Sequence, residues 1–279
     1  MISRVDLHAH STASDGRLSP TEVARLAASR GVRLLALTDH DTTAGCAEAQ
    51  RQAQASGIRL IAGVEINTDS ELGEAHLLGY FAGLDHSELQ AALTRIQIER
   101  AKRAQAIVEK LNTLGVAITM EQVQAQANHT VIGRPHIARA LVAGGWVGSP
   151  SAAFELYIGQ GRRAYIPRYV FSPQEAIGLI RNAGGVAALA HPVRSGNEQH
   201  ISQLVEFGLN ALEVYYFDHA PDDVARLREL AKRHGLLVTG GSDFHDLPKG
   251  GGDGRRGLGS VWVPEEDGER LWERVNGLN

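Results

Sequence analysis

Val5-Asp6-Leu7-His8-Ala9-His10-Ser11, followed closely by Asp15-Gly16, decides how the rest of the chain is read. Successive side chains of a strand point to opposite faces, so His8 and His10 fall on one side, two positions apart. Two imidazoles on one face at a strand end make half of a metal site. An isolated His-x-His also arises by chance, but here histidines and carboxylates recur beside further apolar runs. Leu34-Leu35-Ala36-Leu37-Thr38 ends in Asp39-His40-Asp41, and Arg59-Leu60-Ile61-Ala62-Gly63-Val64 ends in Glu65. His76 begins the run Leu77-Leu78-Gly79-Tyr80-Phe81, and Val186-Ala187-Ala188-Leu189-Ala190 ends in His191-Pro192. Leu236-Leu237-Val238-Thr239-Gly240-Gly241 leads into Ser242-Asp243-Phe244-His245.

Between these runs lie amphipathic helical stretches. Ser19-Pro20-Thr21-Glu22 and Ser172-Pro173-Gln174-Glu175 carry the same helix start, with Ser as N-cap, Pro in the first turn and Glu in the capping-box position. Strands alternating with helices predict parallel pairing and right-handed crossovers. About seven strand–helix units are counted, one short of a full eight-fold barrel. Polar groups at nearly every strand end favour a barrel over an open sheet. The expectation is an α/β chain, a distorted (β/α)7 barrel with its active site at the C-terminal mouth. The barrel is assigned to residues 1–84 and 168–279, including a last strand at 260–263. Residues 85–167 read as a helical insertion capping the mouth as a substrate lid, with helices over 91–114, 120–127 and 135–142. The Gly-rich stretch 250–259 reads as a loop.

The totals agree with one soluble globular chain: 279 residues, 43% hydrophobic and 22% charged. Every apolar run falls short of the ~20 residues of a membrane span. Residues 1–6 run directly into a strand, so no leader is expected and the location expected is cytoplasmic. A single cysteine allows neither an internal disulfide nor a site of several thiolates. A net charge of −4 argues against a nucleic-acid coating protein. Basic residues do gather locally. Arg95, Arg100, Lys102, Arg103 and Lys110 read as a solvated helix face, and Arg134, Arg139, Arg162, Arg163 and Arg168 follow.

Nine residues are the candidates for chemistry: His8, His10, Asp15, His40, Glu65, His76, His191, Asp243 and His245. Imidazole with carboxylate and no thiol suits zinc, manganese or iron, whereas all-oxygen sites suit magnesium or calcium. Nine groups exceed the three or four protein ligands of one catalytic zinc. Two or three ions, with Glu65 bridging, would use them all, and such sites are typical of phosphoryl hydrolysis. His86, His129, His200, His219 and His234 read as structural. Gly133-Arg134-Pro135-His136 begins a helix whose N-terminus suits an anion, with Arg134 as a phosphate fork. Arg194 is a second phosphate ligand or a loop charge. Tyr157, Tyr165, Phe171 and Tyr216 are candidates to stack on a base.

Taken in order, Asp-x-His-x-His-Ser, Thr-Asp-His-Asp, Gly-x-Glu, His-Pro and Ser-Asp-x-His resemble the polymerase-and-histidinol-phosphatase (PHP) family along the whole chain. The resemblance implies a distorted (β/α)7 barrel with a trinuclear metal centre that hydrolyses phosphoesters. Carried over by residue, a first metal would take His8, His10, Glu65 and Asp243. A second would take Glu65, His76 and His191, and a third Asp15, His40 and His245. The implied cofactor is three Mn2+, with Zn2+, Fe2+ or Mg2+ as the other ions that suit the donors.

The insertion with Arg-Pro-His-Ile-Ala is similar to the stand-alone branch of that family. Its members remove the 3′-phosphate from nucleoside 3′,5′-bisphosphates and trim short RNA from the 5′ end. There the Arg-Pro-His segment helps bind substrate phosphate, which implies that role for Arg134 and His136. The reaction implied is attack of a metal-held hydroxide on phosphorus, with a nucleotide or a short RNA end as substrate and no obligatory protein partner. Histidinol-phosphate phosphatase is the alternative within the family. A metal-binding, non-catalytic interaction module is the alternative of another class. Barrel amidohydrolases also open with His-x-His, but Asp39-His40 and Asp243-x-His245 favour a phosphoesterase.

Overall fold

Leu34–Leu37, Val186–Leu189 and Ala211–Tyr216 are buried along their whole length, as strands covered on both faces must be. A computed structural model describes residues 3–71, 73–127, 132–167, 169, 171–247 and 257–278. His129, Arg168 and residues 250–256 of the Gly-rich stretch lie outside the described residues. One seven-stranded sheet runs in chain order: β1 (Val5–Asp6), β2 (Leu34–Leu37), β3 (Arg59–Ser70), β4 (Gly73–Phe81), β5 (Val186–Leu189), β6 (Ala211–Tyr216) and β7 (Leu237–Gly241). The Leu7 N–H donates to Gly240 O at 3.0 Å and the His10 N–H to Phe244 O at 2.9 Å. Ala9 and Phe244 form a parallel bridge, so the two ends of the sheet meet and the barrel is nearly closed.

The pairing is parallel except at β4, which runs antiparallel to both β3 and β5. This corrects the expectation of a uniformly parallel sheet. Ser70 pairs with Gly73, leaving two residues in the connection, and a parallel crossover needs a dozen or more. The expected strand at 260–263 is irregular backbone. Both edges of β1 are already taken, by β2 and by β7, and the Val263 N–H donates to Ser3 Oγ at 3.2 Å instead of joining a ladder.

The two Ser-Pro-x-Glu starts both form capping boxes. Glu22 N–H donates to Ser19 Oγ (3.2 Å) while the Ser19 N–H donates to Glu22 Oε2 (2.7 Å), opening the helix Pro20–Ser29. Ser172 and Glu175 repeat this at the start of Pro173–Asn182. Helix Pro20–Ser29 buries Val23, Ala24 and Ala27, which share a core with Leu35, Leu37 and Leu60 of the neighbouring strands.

The chain divides into two compact units, residues 1–90 with 170–279, and residues 91–169. The second unit is helical. It comprises most of Ser87–Thr113, then Met120–Ala127, Arg134–Ala143, and Pro150–Ala153 continuing as a short π-helical stretch, Phe154–Ile158. Its core includes Ile107, Leu111, Val123, Ile137 and Leu141. The helix at Pro150 was not expected; Ser149 Oγ caps it, accepting from the Ala152 N–H at 3.2 Å. No helix among the described residues is long and apolar enough to cross a membrane.

Closure of the barrel requires backbones to approach at Gly241. A Cβ there would lie 2.5 Å from His8 Cβ and 2.9 Å from Asp6 Oδ1, with the His8 nitrogen nearer still. Gly241→Ala is therefore expected to destabilise the fold by about 1–3 kcal/mol of overpacking, read as a lower midpoint in thermal or urea unfolding. An unchanged midpoint would contradict this approach of β7 to β1.

Candidate metal centre

The nine side chains singled out in the sequence come together at one end of the barrel, within the unit of residues 1–90 and 170–279. They form three groups whose donor atoms lie within 4.8 Å of one another: His8, His10, Glu65 and Asp243; Glu65, His76 and His191; and His10, Asp15, His40 and His245. His10 thus belongs to two groups, where the resemblance implied one.

Glu65 joins the groups through separate oxygens. Its Oε2 faces His8 Nε2 (3.2 Å), His10 Nε2 (3.1 Å) and His40 Nδ1 (3.3 Å). Its Oε1 faces His76 Nδ1 (2.7 Å) and His191 Nε2 (3.3 Å). His8 and His10 are fully buried with their Nε2 atoms 3.1 Å apart, and both face Asp243 Oδ1 as well, at 3.4 and 3.3 Å. Two imidazole nitrogens this close can share only one proton between them, while each confronts two carboxylate oxygens. His10 and His191 also bury an Nδ1 that has no hydrogen-bond partner among the described residues, so their Nε2 contacts are what orient them. In the third group His245 Nε2 lies 3.2 Å from Asp15 Oδ1, and the His10 and His245 rings stack at 4.1 Å. A divalent cation between such nitrogens and oxygens satisfies them together, so the donor set fits metal.

Local backbone geometry aims these groups. Asp41, His191 and Asp243 are the non-glycine residues with positive φ among those described, at 54°, 30° and 51°. Such conformations cost of order 1–3 kcal/mol and persist where surroundings over-determine them. Buried carboxylates hold the segments at His191 and Asp243, and also the loop that carries Asp15. Glu213 Oε2 accepts from the His191 N–H (2.7 Å), and its Oε1 accepts from His8 Nδ1 (2.9 Å). Asp39 accepts from the Ser11 N–H, the Ser11 hydroxyl and the Ser14 hydroxyl, each at 2.7 Å, holding the loop that presents Asp15. Asp6 accepts from the Ser242 N–H (2.9 Å), the Ser242 hydroxyl (2.7 Å) and the Gly259 N–H (2.8 Å), holding the segment before Asp243. The Tyr216 hydroxyl donates to Asp243 Oδ2 at 2.8 Å.

Sequence reasoning left Glu213 unassigned, although a lone carboxylate inside Ala211-Leu212-Glu213-Val214-Tyr215 was a usable signal. A charge in an otherwise buried strand needs a partner. Asp6 and Asp39 appeared only as letters of the motifs.

Charge is strongly coupled across the site. Burial opposes ionisation of Glu65, but His40, His8 and His76 outweigh it and hold the carboxyl well below its usual range. Asp243 behaves alike under His8 and His245, and Asp15 under His245 and His40. Burial likewise disfavours charged imidazole. Even so, Glu65 and Glu74 raise His76 to about 9, and Asp15 and Asp243 raise His245 to about 10. At His40 burial prevails over Glu65 and Asp15, and the group falls to about 4.

The residues expected at the substrate are placed as follows. Arg194 lies on the short helix Pro192–Ser195 directly after His191, its guanidinium 6.0 Å from the Phe217 ring. Arg134 and His136 are in the helical unit. His136 is buried, and its Nδ1 accepts from the Gly133 N–H at 3.0 Å, capping helix Arg134–Ala143. The Arg134 guanidinium lies 5.5 Å from the Phe154 ring. Among the aromatic candidates, Phe171 is buried, Tyr157 packs on the core of the helical unit, and the Tyr165 ring lies 5.7 Å from the Arg103 guanidinium.

Two outcomes follow from this arrangement. A histidine whose folded value is raised stabilises fully below its unfolded value of 6.5 and loses that contribution as pH climbs through the folded value. The metal-free protein, kept in chelator, is therefore expected to melt at lower temperature as pH rises from 6.5 through about 9 and 10. Saturating divalent ion should reverse the trend, because metal requires unprotonated imidazole. Melting curves indifferent to pH in chelator would refute the coupling. Glu213→Gln keeps the side-chain volume but removes the charge that orients His8 and His191, and should weaken metal retention by about 10–100-fold. Metal retention equal to the unsubstituted protein, measured by competition with a chelator, would leave Glu213 without that role.

Comparison with known proteins places these observations. A PHP domain family model matches residues 6–141. The chain is 37% identical to the 3′,5′-nucleoside bisphosphate phosphatase of Chromobacterium violaceum over 90% of each sequence. It is 34% identical to the 5′-3′ exoribonuclease Rnm of Escherichia coli, over 96% of this chain and 94% of that one. A solved structure from Bifidobacterium adolescentis, designated a metal-dependent phosphoesterase, superposes with a TM-score of 0.86 at 33% identity, covering 97% of this chain and 96% of that one. The nine donors at the barrel mouth and this similarity along nearly the whole length lead to one conclusion: the chain belongs to the PHP domain family, on the branch that holds the bisphosphate phosphatase and the exoribonuclease.

Proposed function

We propose that the protein is a cytoplasmic, metal-dependent phosphoesterase that removes the 3′-phosphate from nucleoside 3′,5′-bisphosphates and also acts on the 5′ end of short RNA. The observation that carries this is Glu65, whose two oxygens belong to different donor groups of a nine-residue cluster. The names of the two relatives, a nucleoside bisphosphate phosphatase and an exoribonuclease, favour nucleotide substrates over histidinol phosphate. The intact donor set favours catalysis over a purely structural module.

His8, His10, Glu65 and Asp243 would hold one ion, Glu65, His76 and His191 a second, and Asp15, His40 and His245 a third, with His10 within reach of the third group. Three Mn2+ is the proposed complement, and Zn2+, Fe2+ or Mg2+ also suit the donors. Bound divalent ions supply Lewis acidity toward phosphoryl oxygens and acidify water for attack on phosphorus. The protein's own part is to fix the donors. Glu213 holds His8 and the backbone of His191, Asp39 holds the Asp15 loop, and Tyr216 holds Asp243. Arg194, one turn beyond His191, supplies a cation for substrate phosphate. Arg134 and His136 enter the proposal through the family resemblance.

Phosphate release from adenosine 3′,5′-bisphosphate, AMP and histidinol phosphate, compared with added manganese, tests the assignment. The bisphosphate should give the highest kcat/KM. A large preference for histidinol phosphate would move the substrate while leaving the metal centre, and no hydrolysis by metal-loaded protein would overturn the enzyme. In the same assay Arg134→Ala should raise KM for the bisphosphate with kcat little changed. Identical kinetics would remove the 91–169 unit from substrate binding.

A further inference from the structure

The helical unit carries a charge opposite to that of the chain as a whole. Residues 91–169 hold ten Lys and Arg against four Asp and Glu, whereas the full sequence holds 28 against 32. We propose that one face of this unit is a track for the phosphate backbone of short RNA. The face is formed by residues 95–110 of helix Ser87–Thr113 and by the segment 162–167 with Tyr169 laid along them. The proposal deepens the phosphoesterase reading and rests on it for the fate of the RNA 5′ end.

Three observations support it. First, folding gathers the cations into a row. The Lys110 ammonium donates to Tyr165 O (3.2 Å), the Arg103 Nε–H donates to Ile166 O (2.8 Å), and the Arg95 guanidinium lies 4.9 Å from the centre of the Tyr169 ring. The segment therefore runs antiparallel to the helix. Arg162, whose carbonyl accepts from the Tyr165 N–H at 3.0 Å, and Arg163 join the row at the Lys110 end. Arg95, Arg103 and Lys110 recur about every two turns and so return to one side of the helix. Between the first and the last the helix rises about 22 Å, which is room for several nucleotides.

Second, the charge of this row is available to a ligand. Arg95, Arg162 and Arg163 are exposed and form no ion pair among the described residues. Two carboxylates share the helix face. Glu99 is paired with Lys102 at 2.7 Å, and Glu109 accepts from the Gln105 amide at 2.8 Å. Cations still outnumber carboxylates along the row.

Third, the arginines are pre-ordered. Arg95 lies over Tyr169, and Arg103 over Tyr165 at 5.7 Å. A guanidinium held against a ring keeps its charge and has less side-chain freedom left to lose when a phosphate arrives. An extended row of fixed positive charge suits a polymer with regularly spaced phosphates, whose condensed counterions it releases. A single nucleotide is too short to use it.

The test measures binding and hydrolysis with the full-length, metal-loaded protein. A ten-nucleotide RNA blocked at its 5′ end by a fluorescent label reports binding by anisotropy without being consumed. With Arg95→Gln, Arg162→Gln and Arg163→Gln combined, its affinity should fall, and the slope of log K against log salt should flatten by about 2, at about 0.7 per lost phosphate contact. For a 5′-phosphorylated ten-nucleotide RNA kcat/KM should fall about tenfold at low salt, while that for adenosine 3′,5′-bisphosphate stays the same. An unchanged salt slope, or equal losses on the RNA and on the bisphosphate, would overturn the track and leave the phosphatase standing. Poly-L-glutamate that displaced the labelled RNA as readily as unlabelled RNA does would also overturn it, because the face would then be reading acidic polymer in general. Binding of the blocked RNA that depends on these arginines, in a protein that hydrolyses no phosphoester, would sustain the track and overturn the enzyme assignment. The three side chains are exposed, so their replacement leaves a folded protein.

Discussion

A carboxylate buried to 1% exposure and faced by five imidazoles is the constraint on which the mouth of this barrel depends. An isolated ion at that depth would be driven to neutrality. Glu65 stays ionised because His40, His8 and His76 surround it, and those rings sit well because Glu65 is charged. The arrangement is reciprocal, and neither side is stable without the other or without a cation replacing the protons. The same residue separates the donor groups, because one oxygen turns to His8, His10 and His40 and the other to His76 and His191.

The fold meets this demand through the reversed strand. In a parallel barrel each strand delivers its C-terminal end to the mouth. β4 runs the other way, so the mouth receives its beginning, and His76 there is opposite Asn67 and diagonal to Glu65 across the hairpin. Cross-strand diagonals bring long side chains within reach, and the 2.7 Å contact from His76 to Glu65 is the result. β3 extends well past Glu65 to Ser70 for the same reason: the hairpin must continue beyond the barrel layer before it can turn back.

Behind the donors stands a ring of carboxylates with no metal-facing role of their own. Asp6, Asp39 and Glu213 each accept two or more hydrogen bonds from a backbone or side chain that carries a donor residue. Outer carboxylates of this kind set ring orientation and donor basicity. They also hold His191 and the Asp243 segment in backbone conformations that would not persist alone. Cys46, by contrast, is buried between the carbonyls of Leu37 and Gly63, and burial pushes its thiol up to about 12. It packs and takes no part in the chemistry.

The nine clustered side chains were legible in the sequence as metal-ligand types, all but Asp15 beside an apolar run, where strand periodicity decides which side chains share a face. The capping boxes at Ser19 and Ser172 were legible for a similar reason: their hydrogen bonds span three residues and need nothing distant. Long-range pairing was not legible. Nothing local in 73–81 distinguishes an antiparallel strand from a parallel one, and the short link at Ser70–Gly73 matters only once β3 is known to continue that far. The apolar 260–263 stretch looked like a strand but found both edges of β1 already occupied. His10 joined a second donor group, and Glu213 became a bridge between His8 and His191. Each of those depends on residues far apart in the chain, 205 positions for His8 and Glu213. Sequence alone determined which chemical groups are present and on which face of their own element they stand. Only the tertiary structure decided which of them meet, because meeting is set by barrel closure and strand direction, and these are properties of the whole chain.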